Sequence, residues 1–172
     1  MPYAMDTHED PKVGLAAEML HECGEVRLKT WGTSMLPSVW PGDLVTLQRV
    51  TQDGVVPGDI VLVLRDNRFV IHRLIERRQD EGCISWITKG DAVPQNDQPA
   101  AASELLGRVT EIRRGNRIFV PSRRVSLLHS ALAWALCHSD RFRNLTLLVR
   151  AAGLQASVRG VTGAFRSRTS HP

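Results

Sequence analysis

The feature that most constrains the fold is a succession of short β-type segments that fills the middle of the chain. Runs rich in β-branched and aliphatic residues, each as long as a single strand, occur at 26–30, 43–50, 59–65, 68–76, 84–89, 108–113 and 117–120. Two of the gaps between them, Asp66-Asn67 and Gly115-Asn116, have the composition of tight hairpin turns. Short strands joined in this way predict a mainly β protein built as a small antiparallel barrel or sandwich.

A short helix is predicted before these strands, over residues 11–23. Asp10 can cap it, Pro11 suits its first position, and Gly24 stands where a left-handed terminating residue belongs. We therefore separate an N-terminal helical segment, 1–24, from the β domain that follows it.

The sequence changes character again after the β domain, which we place at 25–122. Residues 123–172 hold 8 arginines and a single acid, Asp140, whereas residues 1–122 hold 14 Lys and Arg against 17 Asp and Glu. An apolar stripe at helical spacing precedes Asp140. We predict a basic helical tail whose end is mobile. We expect this helix to pack on the β domain or on a partner, and the alternative is contact of its arginines with an anionic membrane surface.

Charge and cysteine patterns limit the class of protein. The first thirty residues lack the basic start and apolar centre of a secretory signal, and the uncharged stretch 125–139 is shorter than the roughly 20 apolar residues of a membrane span. Cys23, Cys83 and Cys137 are odd in number and widely spaced, so we expect buried thiols rather than disulfides or a zinc site. The expected location is the cytoplasm or the periphery of a membrane.

Three segments combine polar side chains with turn residues, and the first of them contains Ser34. This serine lies in the segment Gly32-Thr33-Ser34-Met35-Leu36-Pro37. A serine held by such constrained backbone can be presented as a nucleophile. The alternative is an ordinary turn serine that bonds to its own backbone.

The second segment contains His72, in the strand-like run 69–75. Strand alternation places His72 on the same face as Val70 and Leu74, which is the apolar side. A partly buried neutral imidazole suits a general base for a serine. The alternative is a core histidine that is hydrogen-bonded to a carbonyl group.

The third segment is a Gly/Pro-containing loop, 88–97, that carries Asp91 and Asp97. Either carboxylate could orient the imidazole and stabilise its cationic form. The alternative is that both are surface acids that accept hydrogen bonds from loop amides.

Taken together, the three segments resemble the signal peptidase I and LexA-type superfamily of serine peptidases. The boxes that carry this resemblance are the 32–37 segment with Gly42-Asp43, then Gly58-Asp59-Ile60-Val61, then Ile71-His72-Arg73-Leu74, and finally Lys89-Gly90-Asp91 ending at Asp97. They span about 26–121 in the order found in the family. The resemblance implies the small β fold of that superfamily.

The resemblance also implies roles for individual residues. Ser34 would be the nucleophile and His72 the general base. Most bacterial signal peptidases and LexA-type repressors have a lysine at the position of His72, whereas the endoplasmic-reticulum and SipW-like branch has a histidine. In that branch Asp97 matches the aspartate partner and Asp91 supports the loop, so Asp97 ranks first.

The substrate side of the site follows from the same resemblance. Gly32 stands where bacterial signal peptidases often have a hydroxyl residue, so the oxyanion would be held by the Ser34 amide with help from Thr33. Met35 would line the substrate cleft. Substrates would bind as an extended strand with small residues near the scissile bond.

These observations predict a serine endopeptidase that resembles signal peptidase I and cleaves a peptide or precursor protein, as in signal peptide processing. It would need no cofactor and no metal ion, and we expect no nucleic-acid partner. Two alternatives remain: a non-catalytic peptide-binding module, and a self-cleaving regulatory factor with a LexA-like fold. For self-cleavage, the small-residue stretch 99–103 is the candidate linker.

Overall fold

The computed structural model describes residues 11–80 and 82–124. Helix α1 spans Pro11–Cys23, and it is followed by β1 (Glu25–Lys29), β2 (Leu44–Arg49), β3 (Ile60–Arg65), β4 (Arg68–Asp80), β5 (Cys83–Lys89), β6 (Ala100–Ala101), a 3-10 turn (Ala102–Glu104), β7 (Leu105–Arg114) and β8 (Arg117–Phe119). The predicted mainly β fold and the N-terminal helix are confirmed. The predicted helix of the tail and Cys137 lie outside the described residues.

The strands form one antiparallel sheet that curls into a half-barrel, in the order β1-β2-β7-β3-β4-β5-β6 with β8 on β7. β7 pairs with β2 along one side, and with β3 and then β8 along the other. The β3–β4 hairpin turns at Asp66 and Asn67, whose φ angles of 47° and 56° are those of a type I′ turn. Gly115 (φ 58°) begins the turn between β7 and β8, so both predicted hairpins are present.

The hydrophobic core lies on both faces of β3. Alternate β3 residues enter two clusters, with Ile60 and Leu62 in the first and Val61 and Val63 in the second. The other buried members of the first cluster are Leu20, Met35, Val39, Val45, Leu47, Val109 and Ile112, and those of the second are Val55, Leu74, Trp86, Ala100 and Leu105. Because β3 is covered on both faces, its sequence is a continuous apolar run rather than an alternating one. β4 pairs with β3 along the full length of β3 and is therefore held against the core.

Two Pro-Gly-Asp turns have the same local structure, and each leads into a strand of the sheet. In each turn the glycine has a positive φ, 86° before β2 and 99° before β3. The Oδ2 atoms of Asp43 and Asp59 accept the backbone N–H three residues earlier, at 2.8 Å and 3.1 Å. Arg114 pairs with Asp43 at 2.7 Å and Arg123 with Asp59 at 2.6 Å. Each turn is thus held by an arginine from a distant part of the chain.

The cysteine prediction is wrong for both described cysteines. Cys23 and Cys83 are exposed, because each stands at the end of an element, the last residue of α1 and the first of β5, where the backbone leaves the core. Neither is part of a disulfide.

The small-residue stretch 99–103 is part of the folded domain. Ala100 is completely buried in the second cluster, and its strand β6 pairs with β5 at Trp86. This strand was not predicted, because two alanines carry no strand signal. Cleavage within this stretch would require β6 to leave the sheet. The structure therefore does not support residues 99–103 as an accessible linker for self-cleavage.

The bounds of two strands also differ from the prediction. β4 continues to Asp80 through charged residues that pair with β5, and β7 begins at Leu105 rather than at residue 108. Neither extension carries the apolar pattern on which the prediction depended. Among residues 11–80 and 82–124, no helix is long and apolar enough to cross a membrane.

Candidate active site

Ser34 lies in the turn that links β1 to β2, and the residues after it fix its position. Met35 is 5% exposed and Leu36 is completely buried, so the serine is attached directly to the core. The Met35 carbonyl accepts the Val39 N–H at 3.0 Å, which closes the following turn. Gly32 precedes the serine with a φ of 83°, a conformation that strains residues with a side chain. This explains why a glycine, rather than a hydroxyl residue, stands at that position.

His72 projects from the middle of β4 toward this turn. Its strand neighbour across the β3–β4 pair is Val61, a residue of the buried core. The Ser34 hydroxyl lies 3.0 Å from His72 Nε2, and the other ring nitrogen, Nδ1, lies 2.6 Å from Asp97 Oδ2. The side chains of His72 and Asp97 are only 11% and 18% exposed. The fold therefore brings these three sequence-predicted residues into one hydrogen-bonded row.

Thr88, at the end of β5, holds Asp97 in this row. Its hydroxyl donates to Asp97 Oδ2 at 2.6 Å, and its carbonyl accepts the Asp97 backbone N–H at 2.8 Å. An ionised carboxylate only accepts hydrogen bonds, so Thr88 and His72 Nδ1 are both donors. Thr88 is 1% exposed. The sequence analysis missed this residue, because only its position just before the Lys-Gly-Asp box could have indicated it.

The loop after β5 packs directly on the nucleophile. The Ala92 N–H donates to the Ser34 carbonyl at 2.8 Å. A Cβ atom added to Gly90 would lie 2.6 Å from the Ser34 carbonyl oxygen and 3.1 Å from its Cβ. A side chain at Gly90 would therefore push the loop away from Ser34.

Asp91 is buried in a different interaction and does not contact the imidazole. Its two oxygens accept Nε and Nη2 of Arg73, each at 2.8 Å, and the Ser38 hydroxyl also donates to it. Arg73 Nη1 in turn donates to the carbonyls of Gly58 at 2.7 Å and Ser122 at 2.9 Å. Asp91 thus ties the loop to the strand that carries the histidine, which is a supporting position.

Of the residues predicted for the oxyanion and the substrate, Gly32 is exposed, Thr33 is half-buried and Met35 is buried. Within residues 11–80 and 82–124, the Ser34 backbone N–H has no hydrogen-bond acceptor. The Thr33 carbonyl accepts the Leu36 N–H at 3.2 Å, so the peptide group before Ser34 is held in a turn.

Lys29 Nζ lies over the Trp31 ring, 5.2 Å from its centroid. In the described chain no group of His, Cys, Asp and Glu side chains is arranged as a metal site.

A cleft of about 490 Å³ opens beside Ser34 and His72. One wall is the end of β1 with the residues that follow it, and the other is the first half of β4. Met35 lies in its lining. The arrangement joins a hydroxyl group, an imidazole and a carboxylate at the edge of an apolar cleft, which is what nucleophilic attack on a bound carbonyl requires.

Comparison with known proteins identifies a family for most of this region. The model of a family described as Peptidase S24-like matches residues 2–110, a range that contains Ser34, His72, Thr88 and Asp97. Among curated proteins, none matches the chain.

Proposed function

Because the chain belongs to the Peptidase S24-like family, we propose that it is a serine endopeptidase with Ser34, His72 and Asp97 as its catalytic residues. The observation that carries this proposal is the pair of contacts made by His72, 3.0 Å to Ser34 Oγ and 2.6 Å to Asp97 Oδ2. Both distances are within hydrogen-bond reach, which a general base and its orienting group require.

The geometry supports the following mechanism. Ser34 Oγ attacks the peptide carbonyl while its proton passes to His72 Nε2. Asp97 holds the Nδ1–H and stabilises the imidazolium ion that forms. The Nε2–H proton then passes to the leaving amine, and the acyl group stays on Ser34 Oγ. A water molecule then attacks this ester and gives a proton to His72 Nε2. The tetrahedral intermediate collapses, the C–Oγ bond breaks, and His72 returns the proton to Ser34 Oγ as the carboxylic acid product leaves.

The oxyanion of the tetrahedral intermediate would be held by the Ser34 amide, with Thr33 in support. The absence of a protein acceptor for this amide in the described residues leaves it available for a substrate oxygen. Removal of one donor from such a site costs on the order of a hundredfold or more in rate. With Gly32 in place of a hydroxyl residue, we expect a slower enzyme than one with an additional donor.

The proposed substrate is a peptide or precursor protein bound in extended form between β1 and β4. Among the residues that the structure describes, β1 pairs only with β2, and β4 pairs with β5 only from Arg73 onward. Both unpaired edges border the cleft. A peptide strand inserted there can pair with them, as in other cases of strand addition to a sheet.

A finer proposal follows from the resemblance of the sequence boxes to signal peptidase I. The substrate would then be a precursor that loses a leader segment. Contact of the basic tail with an anionic membrane surface belongs to this finer proposal.

The test is cleavage of a mixed peptide library, with and without anionic vesicles, with all products identified by mass spectrometry. We expect cuts by the wild type that disappear in Ser34→Ala and in His72→Ala. Ser103→Ala and His21→Ala are matched controls, because both residues are exposed and lie outside the cleft. Cuts that persist in Ser34→Ala would contradict the proposal. If the protein cut itself in a Ser34-dependent way but cut no library peptide, the result would favour the self-cleaving factor. If it bound peptides and cut nothing, the result would favour the binding module.

A further inference from the structure

The cleft beside Ser34 is more apolar and larger than a substrate with only methyl side chains would need. We propose that it selects peptides with a large apolar side chain at or next to the scissile bond, and that Trp31 is a specificity-determining residue. This inference rests on the proposed peptidase function, since that function makes the occupant a peptide.

The floor of the cleft is an incompletely covered part of the core. Leu28, Phe69 and Ile71 pack against the first hydrophobic cluster but are only partly buried, and all of them line the cleft. Met35, a buried member of the same cluster, also lines the cleft and is bonded to Ser34 in the chain. An apolar side chain placed here would remove the remaining exposed apolar surface from water, which is the main source of binding free energy for such a group.

The rim of the cleft carries an aromatic side chain with little cover. Trp31 is 78% exposed, precedes Ser34 by three positions in the chain, and lines the cleft. The Lys29 ammonium group lies 5.2 Å from its ring centroid, within the range of a cation–π contact. Exposed tryptophans beside a binding site contribute strongly when a partner covers them. Trp31 is therefore placed to close over a bound apolar group.

The volume and charge of the cleft point to the same occupant. A cavity of about 150 Å³ lined by apolar side chains is enough to bind a benzene ring, whereas this cleft measures about 490 Å³. Two methyl side chains would leave most of that space to water against an apolar wall. Among the described residues that line it, Lys29 and His72 can carry positive charge and none is acidic. A basic substrate side chain would find no counter-charge there.

This inference departs from the small-residue preference that the sequence resemblance implies. It is tested first with matched peptides that differ only at the residues flanking one cut site, Ala against Leu or Phe. We expect kcat/KM to be about tenfold or more higher for the large apolar residues, the range that added methylene groups give in an apolar pocket. Equal or better cleavage of the alanine peptide would overturn the inference and leave the peptidase function standing.

Trp31→Ala tests the specificity-determining residue. We expect it to lower kcat/KM for the Leu and Phe peptides several-fold more than for the alanine peptide, so that the ratio of the Leu to the Ala rate falls. The matched control is Ile118→Ala, an apolar residue on β8 that is 56% exposed and lies outside the cleft. An unchanged Leu to Ala ratio in Trp31→Ala would overturn the role of Trp31.

A binding measurement separates this inference from the catalytic proposal. Ser34→Ala protein is titrated with the same peptides while its tryptophan fluorescence is recorded. The part of the fluorescence change that is lost in the double variant Ser34→Ala/Trp31→Phe comes from Trp31. Tighter binding of the Leu and Phe peptides supports the inference even when the wild type cuts nothing, a result that would contradict only the catalytic proposal. Tighter binding of the alanine peptide, or no change for any peptide, overturns the inference.

Discussion

At the scale of single residues, the Oδ2 atom of Asp97 contacts both the imidazole of the proposed triad and the residue that holds the carboxylate in place. Asp97 Oδ2 accepts both the Thr88 hydroxyl and His72 Nδ1, each at 2.6 Å. Asp91 is nearer than Asp97 to the histidine box in the sequence, but its oxygens accept hydrogen bonds from Arg73 and Ser38. The two carboxylates of this loop therefore have different partners: Asp97 contacts the imidazole of the proposed triad, and Asp91 contacts Arg73 and Ser38.

Thr88→Val should lower kcat by roughly tenfold with little change in KM. The substitution keeps the shape of the side chain but removes a hydrogen bond to a charged group, worth about 1.5–3 kcal/mol, that holds Asp97 against His72. Thr88→Ser restores the hydroxyl and should recover most of the rate. Steady-state kinetics of the two variants check this, and equal rates for Val and Ser would show that Thr88 serves only packing.

Gly90→Ala should lower kcat/KM by about a hundredfold. The new Cβ would lie 2.6 Å from the Ser34 carbonyl, so the loop must shift and displace the nucleophile, and misplacement by about 1 Å costs on this order.

The matched control for Gly90→Ala is Gly14→Ala, because a Cβ at Gly14 in α1 meets nothing within 4 Å. It should leave kcat/KM unchanged and raise the free energy of unfolding by up to about 1 kcal/mol. Similar activity of the two variants would contradict the close packing of the loop on Ser34.

At the scale of elements, the Pro-Gly-Asp turns set where β2 and β3 begin. Asp43 is completely buried and binds the Trp40 amide and the Arg114 guanidinium. Arg114 also lies over the rings of Trp40 and Phe119, at 5.7 Å and 5.3 Å from their centroids. The first turn, the end of β7 and β8 are thereby joined through one ion pair.

Asp43→Ala should reduce the free energy of unfolding by roughly 2–4 kcal/mol. Removal of one partner from a buried pair typically costs about 3–5 kcal/mol, and the 29% exposure of the Arg114 side chain reduces that loss. The control is Asp53→Ala, because Asp53 pairs with Arg77 at 3.1 Å but its side chain is 87% exposed, so we expect less than about 1 kcal/mol. Urea unfolding of both variants measures the difference, and equal losses would contradict this account.

At the scale of the whole molecule, the segment after β8 returns to the strands that carry the site. Arg73, the residue after His72 in the chain, donates a hydrogen bond from Nη1 to the Ser122 carbonyl at 2.9 Å. Arg123 pairs with Asp59 at 2.6 Å. A Cβ on Gly58 would lie 2.6 Å from the Arg123 carbonyl, so this approach is close. The β domain is thus closed by contacts between residues about fifty to sixty positions apart.

Arg123→Ala should lower the free energy of unfolding by roughly 1–2 kcal/mol. The side chain of Asp59 is 5% exposed and loses its closest cation, although Arg108 remains at 3.7 Å. Arg124→Ala is the control, because Arg124 is exposed, and it should change stability by less than about 0.5 kcal/mol. Thermal unfolding of the two variants compares them, and a larger loss in Arg124→Ala would contradict the proposed closure.

The sequence by itself determined the parts of this protein that depend on local pattern. Helix α1, most strand positions and both hairpins follow from periodicity, capping and turn residues, which act over a few neighbouring positions. The candidate residues Ser34, His72, Asp91 and Asp97 were also visible, because each lies in a short box with its own turn chemistry.

Only the tertiary structure decided what those residues contact. Ser34 and His72 are 38 positions apart, and His72 and Asp97 are 25, so their meeting depends on the curl of the sheet and not on any local signal. The same holds for Thr88, for the burial of Ala100, for the exposure of the cysteines and for the size of the apolar cleft. Local free energies fix where elements begin and end, whereas packing between distant segments fixes which side chains share a site.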